Sequence, residues 1–454
     1  MNYEEAISYI EKVSCSEARN YIAHIQGNLG SDYSLKEVTR LAEYMDRPDK
    51  KLQIVHIAGT NGKGSAGNYL AGILAASGYR VGRYVSPTTH YLERVQKWEP
   101  YTEQAVTISA QEAAKLLTKL RVFCEQMVKE GYHHPTAFEI ETILAMQQGV
   151  DWNVDVMLVE CGLGGRMDAT NFITDPLLCM ITSISRDHMA VLGETVTEIA
   201  EEKYGIIKKG AQVVSAPPKE LQPLLERVCR ETGAHLHLVQ SVGQVQIHSC
   251  EETQFYYRDR SYVLSTPGLY QIDNAALALE TAQCMQSIGF AKINEESMKR
   301  GIYSSRWPGR MEVICKKPII LLDGAHNEDA AKRLVQSLEA YYPGQKWQFI
   351  MGVFADKEYQ KMIHILLPYA KRFLTVTAPG PRGLDSGKLA KTIWQTAQKF
   401  GENRLSLEDI QDVRTMSDAL YQTLQIGENT IICGSLSIQG AVQRFMSEAG
   451  EMEE

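Results

Sequence analysis

Ile54-Val55-His56-Ile57-Ala58-Gly59-Thr60-Asn61-Gly62-Lys63-Gly64-Ser65 is the stretch that decides how this chain is read. A mostly apolar run enters a glycine-rich turn with one lysine, and a helical stretch opens directly after it. Glycines let backbone amides approach a polyphosphate, a helix N-terminus faces its oxygens, and Lys63 offsets its charge. The strict phosphate-loop spacing asks for glycine at position 57 and Ser or Thr directly after the lysine. Ile57 and Gly64 stand there instead, and Ser65 follows one place later. The segment is therefore a variant phosphate loop, weighed against a plain glycine-rich strand-to-helix turn. A central lysine between strand and helix favours phosphate, with Thr60, Asn61, Gly62, Lys63, Gly64 and Ser65 as its contacts.

The same rhythm runs outward in both directions. Apolar or β-branched runs at 52–57, 154–160, 177–184, 212–216, 319–323, 348–353, 373–377 and 430–433 read as strands. Several are continuous rather than alternating, as expected for parallel strands covered on both faces. Helical stretches lie at 65–77, 110–130, 138–148, 274–288, 328–342, 386–399 and 410–422. Alternation of this kind predicts right-handed βαβ units, an α/β class and doubly wound, mostly parallel sheets. Between 236 and 269 the pattern shifts to short segments that read as antiparallel hairpins. A Pro/Gly turn, Ser304-Ser305-Arg306-Trp307-Pro308-Gly309-Arg310, then interrupts both periodicities. With 454 residues, more than one core is expected. The division predicted is 1–303 for a nucleotide-binding domain and 304–454 for a C-terminal, Rossmann-like α/β domain.

Composition narrows the function. The chain is 44% hydrophobic and 22% charged, enough apolar surface for packed cores. Forty-seven Lys and Arg against 55 Asp and Glu give −8, so a nucleic-acid partner is not expected. No run of about 18 apolar residues occurs, so no membrane-spanning helix is expected. The opening Met-Asn-Tyr-Glu-Glu is acidic where a secretion signal is basic. Nine scattered cysteines without a Cys-x-x-Cys pair read as reduced thiols, and the expected compartment is the cytoplasm.

Further polar groups stand at strand ends. Glu160 closes an apolar run and enters Cys161-Gly-Leu-Gly-Gly-Arg166-Met-Asp-Ala-Thr-Asn171, where it would hold a metal or pair with Arg166. Thr182-Ser-Ile-Ser-Arg-Asp187-His188 repeats that placement one strand later, with His188 either a ligand or a structural imidazole. Lys203, beside Glu201 and Glu202 on a helical stretch, reads by itself as a solvated ion-pair partner. In the C-terminal half, Asp323-Gly-Ala-His326-Asn327 follows a strand and suits a ribose, a phosphate or a second substrate, while Asn327 equally suits a helix cap. Asn274 and Arg310 are polar groups on structured segments near the boundary.

Together these segments resemble the folylpolyglutamate synthase/dihydrofolate synthase family of the Mur ligase superfamily. The matching stretches are 59–65, Tyr84-Val-Ser86-Pro87, 160–171, Asp187-His188, Glu202-Lys203-Tyr-Gly-Ile-Ile, Gln271-Ile-Asp-Asn274-Ala-Ala, Trp307-Pro-Gly-Arg310, Asp323-Gly-Ala-His-Asn327 and Gly434-Ser-Leu436, in the family's order. The resemblance implies an ATP-dependent amide ligase of the acid–amino-acid type. In such an enzyme the γ-phosphoryl group passes to a substrate carboxylate and the amine of L-glutamate displaces it. It implies Lys63 on the phosphates, Ser86, Glu160 and His188 as magnesium ligands, and Lys203 as the lysine the family often carbamylates beside a second magnesium. Asn274, Arg310, Asp323 and His326 match groups around the nucleotide, His326 with a catalytic role. Thr136, Phe138, Glu139, Met167, Asp168 and Ala169 match the segments that contact the pterin. ATP, magnesium, a monovalent cation, dihydropteroate or a reduced folate, and a monomeric state are what the family leads one to expect.

The chain also departs from the family's pattern. Ser86-Pro87-Thr88-Thr89-His90-Tyr91-Leu92-Glu93-Arg94 is one residue shorter than usual, in a loop near the acceptor substrate. Cys161, Met167 and Glu328 replace the usual Val, Leu and Pro. The alternatives are a Mur-type ligase acting on another carboxylate, and a phosphate-loop kinase or nucleotide-sensing binder.

Overall fold

A computed structural model describes residues 1–25, 34–88, 90–399 and 405–451. Thr89, in the shortened loop, lies outside the described residues, as does the side chain of Cys15. The chain forms two compact units. The first takes residues 1–87, 91–241 and 274–305, and the second 88–90, 242–273 and 306–454. A single cut after residue 303 misses the transfer of 242–273 to the second unit. No break in composition announces that transfer.

The first unit is built on eight strands: β1 (Ile54–Ala58), β2 (Val81–Tyr84), β3 (Val95–Trp98), β4 (Val106–Thr107), β5 (Val156–Glu160), β6 (Leu178–Ile181), β7 (Gln212–Ser215) and β8 (His235–Leu238). Their order is β4-β3-β2-β5-β1-β6-β7-β8. The run from β2 to β8 is parallel, and β3 and β4 add an antiparallel edge. β1 and β5 are buried along their whole length, which is why they read as mostly apolar runs without alternation. From β1 the chain crosses to β2, on the far side of β5, whereas from β5 it crosses back over β1 to β6. The carboxyl ends of β1, β5 and β6 therefore flank a topological switch point, where open α/β sheets bind ligands. One apolar cluster on this sheet gathers Leu41, Leu117, Ile140 and Val159, and another Ile181, Ile199, Val213 and Leu225.

The second unit holds a three-stranded antiparallel sheet, β9 (Val245–Ser249), β10 (Glu252–Tyr257) and β11 (Arg260–Leu264). It also holds β12 (Glu312–Lys316), β13 (Ile319–Leu322), β14 (Trp347–Met351), β15 (Ala370–Val376), β16 (Ile410–Arg414) and β17 (Thr430–Cys433). These six lie in the order β12-β13-β17-β14-β15-β16, all parallel except the edge strand β12. The α/β class and the mostly parallel sheets are as the sequence led us to expect.

Two local expectations fail. His235–Leu238 pairs in parallel with β7 instead of opening a hairpin, so only β9–β11 are antiparallel. Residues 410–422 are not one helix but β16 followed by the Met416–Ile426 helix. Thr415 alone separates them, its hydroxyl accepting from the Asp418 N–H at 3.2 Å as the helix cap. A switch of period within one residue cannot be seen in a window of ten or more.

Candidate active site

At the end of β1 the loop folds around its own lysine. The Lys63 ammonium donates to the carbonyls of Gly59 at 3.1 Å and Thr60 at 3.4 Å, and lies 4.0 Å from Glu160 Oε1. The loop is tied to the end of β6. Thr60 N–H donates to Ser183 O at 2.7 Å, and its hydroxyl bonds the Ser185 backbone. The Asn61 carbonyl accepts from Thr182 Oγ1 at 2.8 Å and Ser183 Oγ at 3.0 Å. Gly62 precedes the Lys63–Ala76 helix at φ 89°, a left-handed conformation that glycine adopts without strain. A Cβ there would stand 2.4 Å from Asn274 Oδ1, so Asn274 packs directly on the loop. The amides of Lys63, Gly64 and Ser65 open that helix without intrahelical acceptors, the arrangement that receives a phosphate.

Lys203 is not a surface lysine. The Val196–Tyr204 helix, started by a Thr195–Glu198 capping box, buries Ile199, Ala200, Lys203 and Tyr204 on one face. Arg166 pairs with Glu202 at 3.2 Å and Arg227 with Glu201 at 3.4 Å, so the carboxylates expected to solvate Lys203 are engaged elsewhere. Lys203 is 4% exposed, and its ammonium donates to the Gly59 carbonyl at 3.0 Å, the same oxygen that Lys63 uses. Burial, reinforced by the charge on Lys63, pulls its pKa down to about 7.

Glu160, 6% exposed, closes β5 beside Lys63 and leaves Arg166 to Glu202, so the local Glu160–Arg166 pairing is not formed. The hydroxyls of Ser65 and Ser86 are both buried and make no hydrogen bond. Orphaned buried oxygens are costly unless something fills them, and hydroxyl and carboxylate oxygens are what magnesium prefers. Among the described residues no three His, Cys, Asp or Glu side chains converge. Ser65, Ser86 and Glu160 are the hydroxyl and carboxylate oxygens that could hold a cation at this end of the sheet, with water completing its shell. His188 caps the short Met189–Leu192 helix at φ 50°, with Nε2 3.8 Å from Asp187 Oδ2.

The residues matched to the pterin segments divide by role. Thr136 and Glu139 form the capping box of the Ala137–Asp151 helix, the carboxylate accepting from Thr136 N at 2.7 Å and Oγ1 at 2.9 Å. Asp168 is buried and accepts from Leu163 N at 2.8 Å and Thr170 N at 2.9 Å, bracing the glycine loop after β5. Phe138 packs against Tyr84, ring centroids 5.8 Å apart, at the edge of the apolar cluster. The Phe138 ring lies against Gly162, where a Cβ would meet it at 2.6 Å, and Met167 is 45% exposed just before Ala169 opens a short 3-10 turn.

In the second unit, Asp323 follows β13 and is 4% exposed. Its carboxylate accepts from Met311 N at 3.0 Å, Ala325 N at 2.8 Å and the Tyr270 hydroxyl. His326 Nδ1 is 2.8 Å from the Gly324 carbonyl, and Arg310 packs on Gly324 so closely that a Cβ there would stand 2.1 Å from Nη1. Arg310, Asp323 and His326 thus share one loop edge. Asn327 is the cap of the Glu328–Tyr341 helix, its Oδ1 accepting from Ala330 N at 2.9 Å. Tyr270 is absent from the sequence reading; nothing in its spacing marks it as a partner of Asp323.

The family described as Mur ligase, glutamate ligase domain, matches residues 309–436. A dihydrofolate synthase/folylpolyglutamate synthase of Bacillus subtilis is 32% identical over 430 residues, covering 92% of this chain and 96% of its own. A folylpolyglutamate synthase of Lacticaseibacillus casei is 30% identical over 466 residues, covering 98% and 99%. A folylpolyglutamate synthase of Mycobacterium tuberculosis, solved with ADP and AMPPCP, superposes with a TM-score of 0.81 at 25% identity, covering 91% and 95%. The chain belongs to the folylpolyglutamate synthase/dihydrofolate synthase family of the Mur ligase superfamily.

Proposed function

We propose that the chain joins L-glutamate to the carboxylate of dihydropteroate or a reduced folate through an acyl phosphate. It is an ATP-dependent glutamate ligase of the folate type. The observation that carries the site assignment is the convergence of Lys63 and Lys203 on the Gly59 carbonyl, with Glu160 beside Lys63.

A carboxylate resists attack by an amine until one of its oxygens becomes part of a leaving group. Substrate carboxylate oxygen attacks the γ-phosphorus of ATP and the bond to ADP breaks. The glutamate amine then attacks the acyl carbon, inorganic phosphate departs, and the amine loses a proton as the amide forms. Lys63 and the amides of residues 63–65 hold the phosphates and offset the charge that spreads over the transferring group. Magnesium, when bound, supplies further charge neutralisation on the phosphate oxygens. Ser65, Ser86 and Glu160 would offer it oxygen ligands, and His188 a nitrogen. Lys203, its pKa pulled down to about 7, has an unprotonated fraction near neutral pH whose nitrogen can bond the carbon of carbon dioxide, releasing a proton to give a carbamate. That conversion replaces a cation with an anionic oxygen donor. Asn274 packs on the loop to border the nucleotide. Arg310, Asp323 and His326, on one loop edge of the second unit, are the groups the family resemblance matches to nucleotide binding and catalysis. Phe138 and Met167 offer apolar contacts to a pterin, with Thr136, Glu139, Asp168 and Ala169 fixing the segments that carry them.

Substrate labelled with oxygen-18 in its carboxylate tests this route. One labelled oxygen per turnover is expected in the released phosphate. Label retained in the amide alone contradicts an acyl phosphate.

A further inference from the structure

Arg83 lies on β2, in register with Gln96 on β3 and Leu158 on β5, and is 1% exposed. Its guanidinium enters the layer between the sheet and the Lys63–Ala76 helix, whose residues from Ser65 to Ala75 are buried. Nη2 donates to the Gly64 carbonyl in the first turn, and Nη1 donates to Asn68 Oδ1 at 3.3 Å, one turn on. Gly67 leaves the space: a Cβ there would touch Arg83 Nε at 3.4 Å and Nη2 at 3.5 Å. The charge of Glu160, at the end of the adjacent strand β5, favours the ionised guanidinium against its burial. A charge in so apolar a layer is costly unless paired and hydrogen-bonded, and here its hydrogen-bond partners are Gly64 and Asn68 of the phosphate helix, with the charge of Glu160 acting from the adjacent strand.

We propose that Arg83 is a positioning residue for phosphoryl transfer: its planar fork fixes the first turn of the Lys63–Ala76 helix. The inference rests on reading residues 59–65 as the nucleotide site. A guanidinium presents five N–H groups in fixed directions, so it ties two acceptors at a set angle; an ammonium is a point charge that does not. Holding Gly64 by its carbonyl orients the amides of residues 63–65, which face the opposite way along the helix axis. Arg83 adds positive charge behind those amides without touching substrate.

The test uses AMPPCP as probe, titrated with and without magnesium, together with steady-state kinetics of the full chain. Arg83→Met is expected to weaken AMPPCP binding about ten-fold or more in the presence of magnesium and to lower kcat by a similar factor. KM for glutamate should stay within about two-fold, since an unrelated substrate site is not touched. Arg83→Lys should fall between, keeping charge and losing the fork. Asn68→Ala should weaken AMPPCP about two- to five-fold by freeing one arm of the fork. A folded Arg83→Met protein with unchanged AMPPCP affinity and kcat overturns the proposal, even if its Tm falls. Should Arg83→Met not fold, unchanged affinity in both Arg83→Lys and Asn68→Ala overturns it equally. If the unaltered chain fails to bind AMPPCP, the nucleotide reading itself falls, and the role of Arg83 with it.

Discussion

At the scale of single residues, two lysines share one carbonyl oxygen and serve different ends. Lys63 lies in the glycine-rich loop after β1, and in the proposed reaction its charge gains value as the γ-phosphoryl group transfers. Lys63→Ala is expected to lower kcat by about 10²–10³-fold with the fold kept, measured as ADP formation beside a thermal melt. Lys203 is buried, so its protonation is tied to stability. Unfolded it titrates near 10.5 and folded near 7, so between those values the unfolded chain binds more protons. Stability therefore rises with pH across that window, by at most about 1.4 kcal/mol per pH unit. Below pH 7 the cost of burying the ammonium is present in full. In buffer free of carbon dioxide, Lys203→Met should raise Tm most below about pH 7, with the gain shrinking as pH rises toward 10. With carbon dioxide present, Lys203→Ala should lose activity and regain part of it with added acetate. Glu160→Gln, which keeps shape and removes charge, should raise the magnesium concentration needed for half-maximal rate. An unmoved magnesium titration returns Glu160 to a structural role.

At the scale of elements, the loop after β5 and the Val196–Tyr204 helix meet backbone to backbone. A Cβ on Gly165 would stand 2.7 Å from the Glu202 carbonyl oxygen and 2.8 Å from that of Lys203. Backbone atoms cannot swing aside as a flexible side chain does. Gly165→Ala is expected to lower stability by about 1–3 kcal/mol and to move Lys203 away from the Gly59 carbonyl, read as a lower Tm and a lost carbamate mass. The element scale also shows what the sequence makes legible. Residues 54–65 disclose the site because strand, glycines, lysine and helix are contiguous, and each has one physical use. Lys203 is opaque for the opposite reason: its neighbours Glu201 and Glu202 suggest a solvated face, and only packing shows Arg166 and Arg227 taking them. Arg83, between Gly82 and Tyr84, carries no local pattern that shows a helix packed over it. Tyr270 meets Asp323 from a residue 53 positions away, a separation no local pattern encodes.

At the scale of the whole molecule, the class of fold follows from strand and helix alternation, but the division into units does not. Residues 242–273 carry β9–β11 into the second unit and then return the chain through Asn274 to the first. The shift of pattern over 236–269 marks short antiparallel strands but not the unit they join, because such a strand looks the same wherever it packs. No helix among the described residues is long and apolar enough to cross a membrane. One chain couples ATP cleavage to joining a folate-type carboxylate and glutamate. Phosphate release from ATP with dihydropteroate or a reduced folate, each with and without L-glutamate, reads that coupling directly. Sustained release is expected only when acceptor and glutamate are both present, with one phosphate freed per amide formed. Release that ignores the acceptor, or turnover that needs no glutamate, would contradict it.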